Sequence, residues 1–165
     1  MAEIKLKGGI INTNGELPCV GGIAPDFELV KNDLSTLTLS SLRGKRVVLN
    51  IFPSMDTQTC AMSVRRFNKE ASALNNTVVL AISKDLPFAS ARFCSTEGIE
   101  NVVALSAFRD QTFEREYGVL IVDGPLAGLL ARGVVVIDED GKVLYGRLVD
   151  EVTEEPDYTS ALAVL

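Results

Sequence analysis

The sequence predicts an α/β fold with a mixed central sheet flanked by helices and an N-terminal β-hairpin beside it. Three observations carry this expectation. The runs Val47 to Phe52 and Thr77 to Ser83 have the length and β-branched content of strands buried on both faces. Between them, Val64, Phe67, Ala71 and Leu74 recur at three- and four-residue steps and form one apolar face of an amphipathic helix, so the order is strand, helix, strand. Closer to the C-terminus, ARGVVVIDEDGKVLYGRLV reads as two strands joined by a turn at Glu139 to Gly141, which adds an antiparallel pair to a parallel unit.

The other elements follow in order. Residues 1 to 22, with Gly8-Gly9 and Asn14-Gly15 as turn signals, read as a hairpin appended to the core. Asp26 to Val30 is a short strand, and Thr38 to Leu42 is a polar stretch that enters the central strand through the Gly44 turn. Pro53 ends that strand, and a helix opens near Cys60 with Thr57 or Thr59 as its cap. Asn75-Asn76 stops this helix before the second strand. Asp85 and Pro87 signal a helix over Phe88 to Ser95, stopped by Gly98, and Val102 to Ser106 is a third strand. A short helix from about Gln111 to Tyr117, a turn-rich apolar loop over Leu120 to Leu130, and a last helix from about Pro156 to Leu165 complete the chain.

The bulk composition limits the functions available. At 165 residues, 47% hydrophobic and 23% charged, the whole of 1 to 165 fits one domain with a sizeable core. A net charge of -6 and a pI near 4.7 argue against a phosphate-binding surface, so nucleic acid is not an expected partner. No apolar stretch reaches the ~18 residues of a membrane span. The start, MAEIKLKGGI, lacks the cationic flank and apolar core of a signal peptide, so the expected location is the cytoplasm.

The chain has no histidine, which removes Ser-His and Cys-His catalysis, imidazole metal sites and the usual neutral-pH general base. Its three cysteines, Cys19, Cys60 and Cys94, form no C-x-x-C and are too dispersed for a zinc site. In a reducing compartment, pairing among them is expected to be transient and catalytic rather than static. Cys60 differs from the others in its setting. In the first turn of a helix it lies among unpaired backbone N–H groups at the positive end of the dipole, which favours thiolate over thiol. Taken alone, Cys60 reads as a small buried hydrophobe ahead of a nucleophile, Cys94 as a residue on the apolar face of a short helix, Arg132 as a surface ion-pair partner and Thr57 as an ordinary cap.

The stretch Pro53-Ser54-Met55-Asp56-Thr57-Gln58-Thr59-Cys60 resembles the peroxiredoxin signature P-x-x-x-[TS]-x-x-C, carried on a thioredoxin-like fold. NIFPSMDTQTC, KDLPFASARFC, YGVLIVDGPL and LVDEVTEEPDY extend the resemblance to the thiol peroxidase branch of that family, over most of the chain. It implies an atypical two-cysteine cycle without metal or organic cofactor. Cys60 attacks a hydroperoxide and becomes sulfenic acid, Cys94 condenses with it into an intrachain disulfide, and thioredoxin reduces the disulfide. It further implies that Thr57 contacts sulfur and peroxide, that Pro53 shields the sulfur, and that Arg132 favours thiolate and polarises the O–O bond. The loop Leu120 to Leu130 corresponds to a homodimer contact in that branch.

A bridge from helix start to helix end requires local unwinding of both helices, since Cα atoms must come within ~7 Å. Ser90, Ser95 and Thr96 are compatible with a weakly held second helix. Two other readings compete: a thiol-disulfide oxidoreductase, weakened because Thr57 stands where a C-x-x-C motif would have its first cysteine, and a redox-responsive binding module in which oxidation of Cys60 alters a protein surface. Cys19 reads as a passive thiol and Arg109 as structural.

Overall fold

The structure is a computed structural model describing Met1–Leu165. In chain order its strands and helices are β1 (Glu3–Leu6), β2 (Gly9–Asn12), β3 (Glu28–Lys31), β4 (Thr36–Thr38), β5 (Arg46–Ile51), α1 (Gln58–Ala71), β6 (Thr77–Ser83), α2 (Pro87–Glu97), β7 (Val102–Ser106), α3 (Thr112–Glu116), β8 (Gly133–Ile137), β9 (Val143–Leu148) and α4 (Tyr158–Leu162). A 3-10 turn at Ser40–Leu42 follows β4. Seven strands form one sheet in the order β4-β3-β7-β6-β5-β8-β9, and β1 pairs with β2 in a separate hairpin. The sheet is mixed as expected: β5, β6 and β7 run parallel, while β8, β9, β3 and β4 join antiparallel.

Alternation along β5 divides the core between the two faces of the sheet. Val47, Leu49 and Ile51 enter one cluster with Phe27, Leu80, Ile82, Leu105, Phe113 and Tyr117. Val48 and Phe52 point the other way, into a cluster with Cys60, Val64, Phe67, Val79, Val134 and Tyr158. Helix α1 covers this second face. Phe67 is fully buried and meets Tyr158 edge-on at 5.2 Å between centroids, and burying a side chain of that size contributes roughly 1.5–3 kcal/mol. Asn50, the buried polar residue on this face of β5, donates to Ser63 Oγ at 3.2 Å, and Ser63 donates in turn to the Cys60 carbonyl at 2.8 Å. A hydrogen-bonded path thus joins the central strand to the first turn of α1.

Helix α2 is held more lightly. Only Pro87 and Ser90 are buried along it, and Phe88 is 68% exposed. It starts at Pro87, whose missing N–H costs nothing there, and stops at Gly98 in the left-handed conformation, φ 67°. Between α1 and α2 the polar link is the exposed pair Arg65 to Glu97, 2.7 Å, which solvent screens.

Several boundaries differ from the sequence reading. Helix α1 starts at Gln58, earlier than Cys60, and ends at Ala71. β3 begins at Glu28 rather than Asp26, because the Asp26 carboxylate accepts from the Phe27 and Ser40 N–H groups and turns the chain instead. The stretch 38 to 42 divides into the end of β4 and the 3-10 turn. The hairpin turn falls at Lys7-Gly8, with φ 50° and 84°, the two-residue geometry that matches strand twist. Beyond Asn12 the segment leaves the hairpin and returns to the body, where Thr13 bridges to Ile121 and Ile23 to Lys142. Helix α4 is confined to Tyr158–Leu162 and capped by Asp157.

Candidate active site

Strand β5 delivers the chain to the site. Its pairing with β6 continues one step past the strand, Phe52 N–H to the Ile82 carbonyl, and buried Pro53 then turns the backbone away. Thr57, extended at φ -89° and ψ 147°, caps α1, its hydroxyl accepting from the Cys60 N–H at 3.3 Å and donating to the Ser54 carbonyl at 3.1 Å. The Thr57 hydrogen bonds thus run to backbone groups, and its hydroxyl fixes the loop and the first helical turn together. Cys60 sits in that turn with no exposed surface.

The register of β5 with β8 pairs Ile51 with Gly133, so Arg132, one residue before, arrives at the end of β5 where the loop to α1 begins. Gly133 permits the close approach of β9, since a Cβ there would meet Leu148 Cδ2 at 3.0 Å and the Arg147 carbonyl at 3.2 Å. Arg132 is 2% exposed. Its Nη2 lies 3.3 Å from Cys60 Sγ, its Nε donates to the Val152 carbonyl at 2.9 Å, and its Nη1 is buried with no protein partner. It makes no ion pair with a carboxylate. The arrangement is a buried fixed cation on a thiol, with one donor unengaged beside it. Chemically this suits a sulfur nucleophile and an oxygen that gains negative charge.

The sequence reading overlooked Asp85. Its carboxylate accepts from Ser54 Oγ and from the Met55 N–H, both at 2.7 Å, and so grips the loop between Pro53 and Thr57. Its own N–H donates to Ser83 Oγ, and its carbonyl accepts from Ser106 Oγ. The signal was a carboxylate just past the C-terminal end of a parallel strand, the edge at which α/β sheets place their sites. Along the sequence alone, Asp85 marks only a helix start. Val152 and Thr153 were also missed; the Thr153 carbonyl accepts from Thr59 Oγ1 at 2.9 Å, so Thr59, the other cap candidate, tethers α1 instead.

Cys94 lies on α2, half-buried against the same apolar cluster as Cys60. Burial pushes its thiol up, and the nearby Asn32 side chain opposes that only in part. All three cysteines are free, and Cys19 is exposed. The structure thus brings Thr57, Cys60 and Arg132 into contact, places buried Pro53 at the start of the loop that leads to them, and sets Cys94 on the neighbouring helix. No group of three or more acidic or cysteine side chains converges as a metal site, and no helix is long and apolar enough to cross a membrane.

Known proteins share this arrangement of elements. A family model described as Redoxin matches residues 20–162. The chain is 57% identical over 165 residues to a thiol peroxidase of Mycobacterium tuberculosis, covering 100% of this chain and 99% of that protein. It is 54% identical, with the same coverage, to a thiol peroxidase of Corynebacterium glutamicum. Among solved structures, a peroxiredoxin-like protein from Aquifex aeolicus superposes with a TM-score of 0.93 at 38% identity, over 99% of this chain and 96% of that one. A thiol peroxidase from Chromobacterium violaceum superposes with a TM-score of 0.91 over 99% and 95%, and at 21% identity it speaks for the fold alone. The fold is the thioredoxin-like one that the sequence predicts, and the chain belongs to the redoxin family, in its thiol peroxidase branch, as a peroxiredoxin-type oxidoreductase.

Proposed function

We propose that the chain, as one domain over 1 to 165, reduces hydrogen peroxide and organic hydroperoxides through Cys60, with Cys94 as resolving thiol and thioredoxin as reductant. The observation that carries this reading is the 3.3 Å approach of Arg132 Nη2 to Cys60 Sγ in the first turn of α1. The guanidinium and the helix N-terminus both stabilise negative sulfur. The thiolate attacks the nearer peroxide oxygen; the S–O bond forms as the O–O bond breaks, and the departing alkoxide or hydroxide takes a proton and leaves as alcohol or water. Arg132 Nη1, unengaged and buried, is the donor available to the oxygen that gains charge. Thr57 orients the turn that carries Cys60, and Pro53 keeps bulk water from the sulfur.

Cys94 then attacks the sulfenic sulfur, forming the disulfide and expelling hydroxide, which is protonated to water. In folded α2, burial disfavours the thiolate of Cys94, which makes it a poorer nucleophile. Unwinding the helix removes the burial and supplies the reach in one motion, at a small cost because so little of α2 is buried. A dithiol reductant, thioredoxin, returns both cysteines to thiols, and the cytoplasm is the compartment whose reducing pool sustains that cycle. The half-buried Leu126 and Leu129 and the 43% exposed Val122 give the loop from Leu120 to Leu130 an apolar surface for a homodimer contact.

Cys94→Ser is the variant that tests the cycle. It is expected to consume one equivalent of hydroperoxide at the wild-type rate, to show no thioredoxin-dependent turnover, and to accumulate sulfinic acid at Cys60 under excess peroxide. Sustained turnover in that variant would remove Cys94 from the mechanism.

A further inference from the structure

The hairpin that the sequence marks as an appendage is tied by its turn to the segment that holds Arg132 and α1. The turn at Lys7-Gly8 aims both of its backbone N–H groups at the Glu151 carboxylate, at 3.1 Å and 2.8 Å. The same carboxylate accepts from the Thr153 N–H at 3.2 Å and from Thr153 Oγ1 at 3.0 Å. Backbone bonds run alongside: Lys5 N–H donates to the Asp150 carbonyl at 2.6 Å, and the Val152 N–H to the Lys5 carbonyl at 2.8 Å. Beneath them Ile4 and Ile11 of the hairpin pack with Ile121, Ala131 and Val152.

The segment so held presents two carbonyls to the site. Val152 accepts from Arg132 Nε at 2.9 Å, and Thr153 accepts from Thr59 Oγ1 at 2.9 Å. One carboxylate thus ties Thr153, which holds the first turn of α1, to the hairpin turn, while Val152, which holds the guanidinium, lies between Glu151 and Thr153 and is itself tied to the hairpin through the Lys5 carbonyl. Its hydrogen bonds, chiefly that from the Gly8 N–H, hold Glu151 below the usual carboxylate range.

We propose that Glu151 is a positioning residue for peroxide reduction: by clamping Thr153 to the hairpin turn it holds the 151–153 segment in place, and with it the Val152 carbonyl that keeps Arg132 in register with Cys60. The proposal rests on the roles assigned above to Cys60 and Arg132. Arg132 is steered by one carbonyl on Nε, with Nη1 unheld, so a shift of Val152 passes directly to the donor on the sulfur. A misplacement of ~1 Å at reacting groups costs on the order of 100-fold in rate.

The test is a mutant cycle on the full chain, read by stopped-flow oxidation of Cys60 with cumene hydroperoxide and, separately, by reduction of the preformed disulfide by thioredoxin. Glu151→Ala is expected to slow Cys60 oxidation roughly 10- to 100-fold and to leave disulfide reduction unchanged. Glu151→Gln, which keeps one acceptor oxygen, is expected to fall between, and it serves alone if the alanine variant does not fold. In an Arg132→Met background the Glu151 substitution is expected to have a much smaller effect, because the guanidinium it positions is gone and only its tie through Thr153 to Thr59 remains. Wild-type oxidation in the Glu151 variants alongside a slow Arg132→Met would overturn this inference alone, as would full additivity of the two changes. Wild-type oxidation in Arg132→Met would overturn the inference together with the catalytic reading on which it rests.

Discussion

Cys60→Ser is expected to reduce thioredoxin-coupled peroxide turnover to the uncatalysed background while the fold survives. A serine hydroxyl does not ionise near neutral pH and is a weak nucleophile without a base, and this chain has no histidine to supply one. The structural cost is small by comparison. Cys60 is fully buried among Val48, Phe52 and Val64, but Arg132 Nη2 at 3.3 Å from the sulfur is a ready partner for the new hydroxyl. A hydrogen-bonded polar atom in that place costs about 1 kcal/mol or less net, which thermal unfolding would register as a shift of a few degrees. Turnover above background in this variant would show that Cys94 or Cys19 carries the peroxide chemistry.

Arg132→Met separates activity from stability even more sharply. The guanidinium is 2% exposed, pairs with no carboxylate and leaves Nη1 without a protein partner. A cation buried in that way costs several kcal/mol of desolvation, which the thiolate of Cys60 would offset as counter-charge. Methionine of similar length keeps the volume and removes the charge. Stability is therefore expected to hold or rise, while the rate of Cys60 oxidation falls about 100- to 1,000-fold, the usual loss on removing one preorganised donor to developing charge. Stopped-flow oxidation and a thermal melt on the same sample check both halves. A wild-type oxidation rate would make Arg132 structural.

What could be read from the sequence and what could not divide by distance along the chain. Cys60 and its cap Thr57 lie within four residues of one another, and the strand before them announces itself by β-branched composition. Their geometry is local, so spacing alone reveals it. Arg132 matches the family's arginine, but its approach to the sulfur depends on the antiparallel pairing of β8 with β5, which no local pattern encodes.

Asp85 grips Ser54 and Met55 across about thirty positions, and Glu151 grips Lys7 and Gly8 across nearly the whole chain. Each presents to the eye an ordinary surface carboxylate next to a turn. The hairpin was legible as a hairpin, yet its engagement with the site was not, because that depends on the position of one turn. The reading favoured Gly8-Gly9, whereas the chain turns at Lys7-Gly8 by placing a lysine at φ 50°. Errors in the short elements have a common cause. Around Asp26 and Pro156, side-chain caps and turns decide the boundary, and periodicity is silent over three to five residues.

The measurement to make first is a disulfide map of the wild-type protein after one equivalent of cumene hydroperoxide has been added to the fully reduced chain. The expected product is an intrachain bridge from Cys60 to Cys94, with Cys19 still reduced. It would show that the buried sulfur takes the peroxide oxygen and that both helices open far enough to close the bond. Recovery of Cys60 as an unmodified thiol, with the oxidant consumed elsewhere or not at all, would contradict the assignment of peroxide reduction to this site.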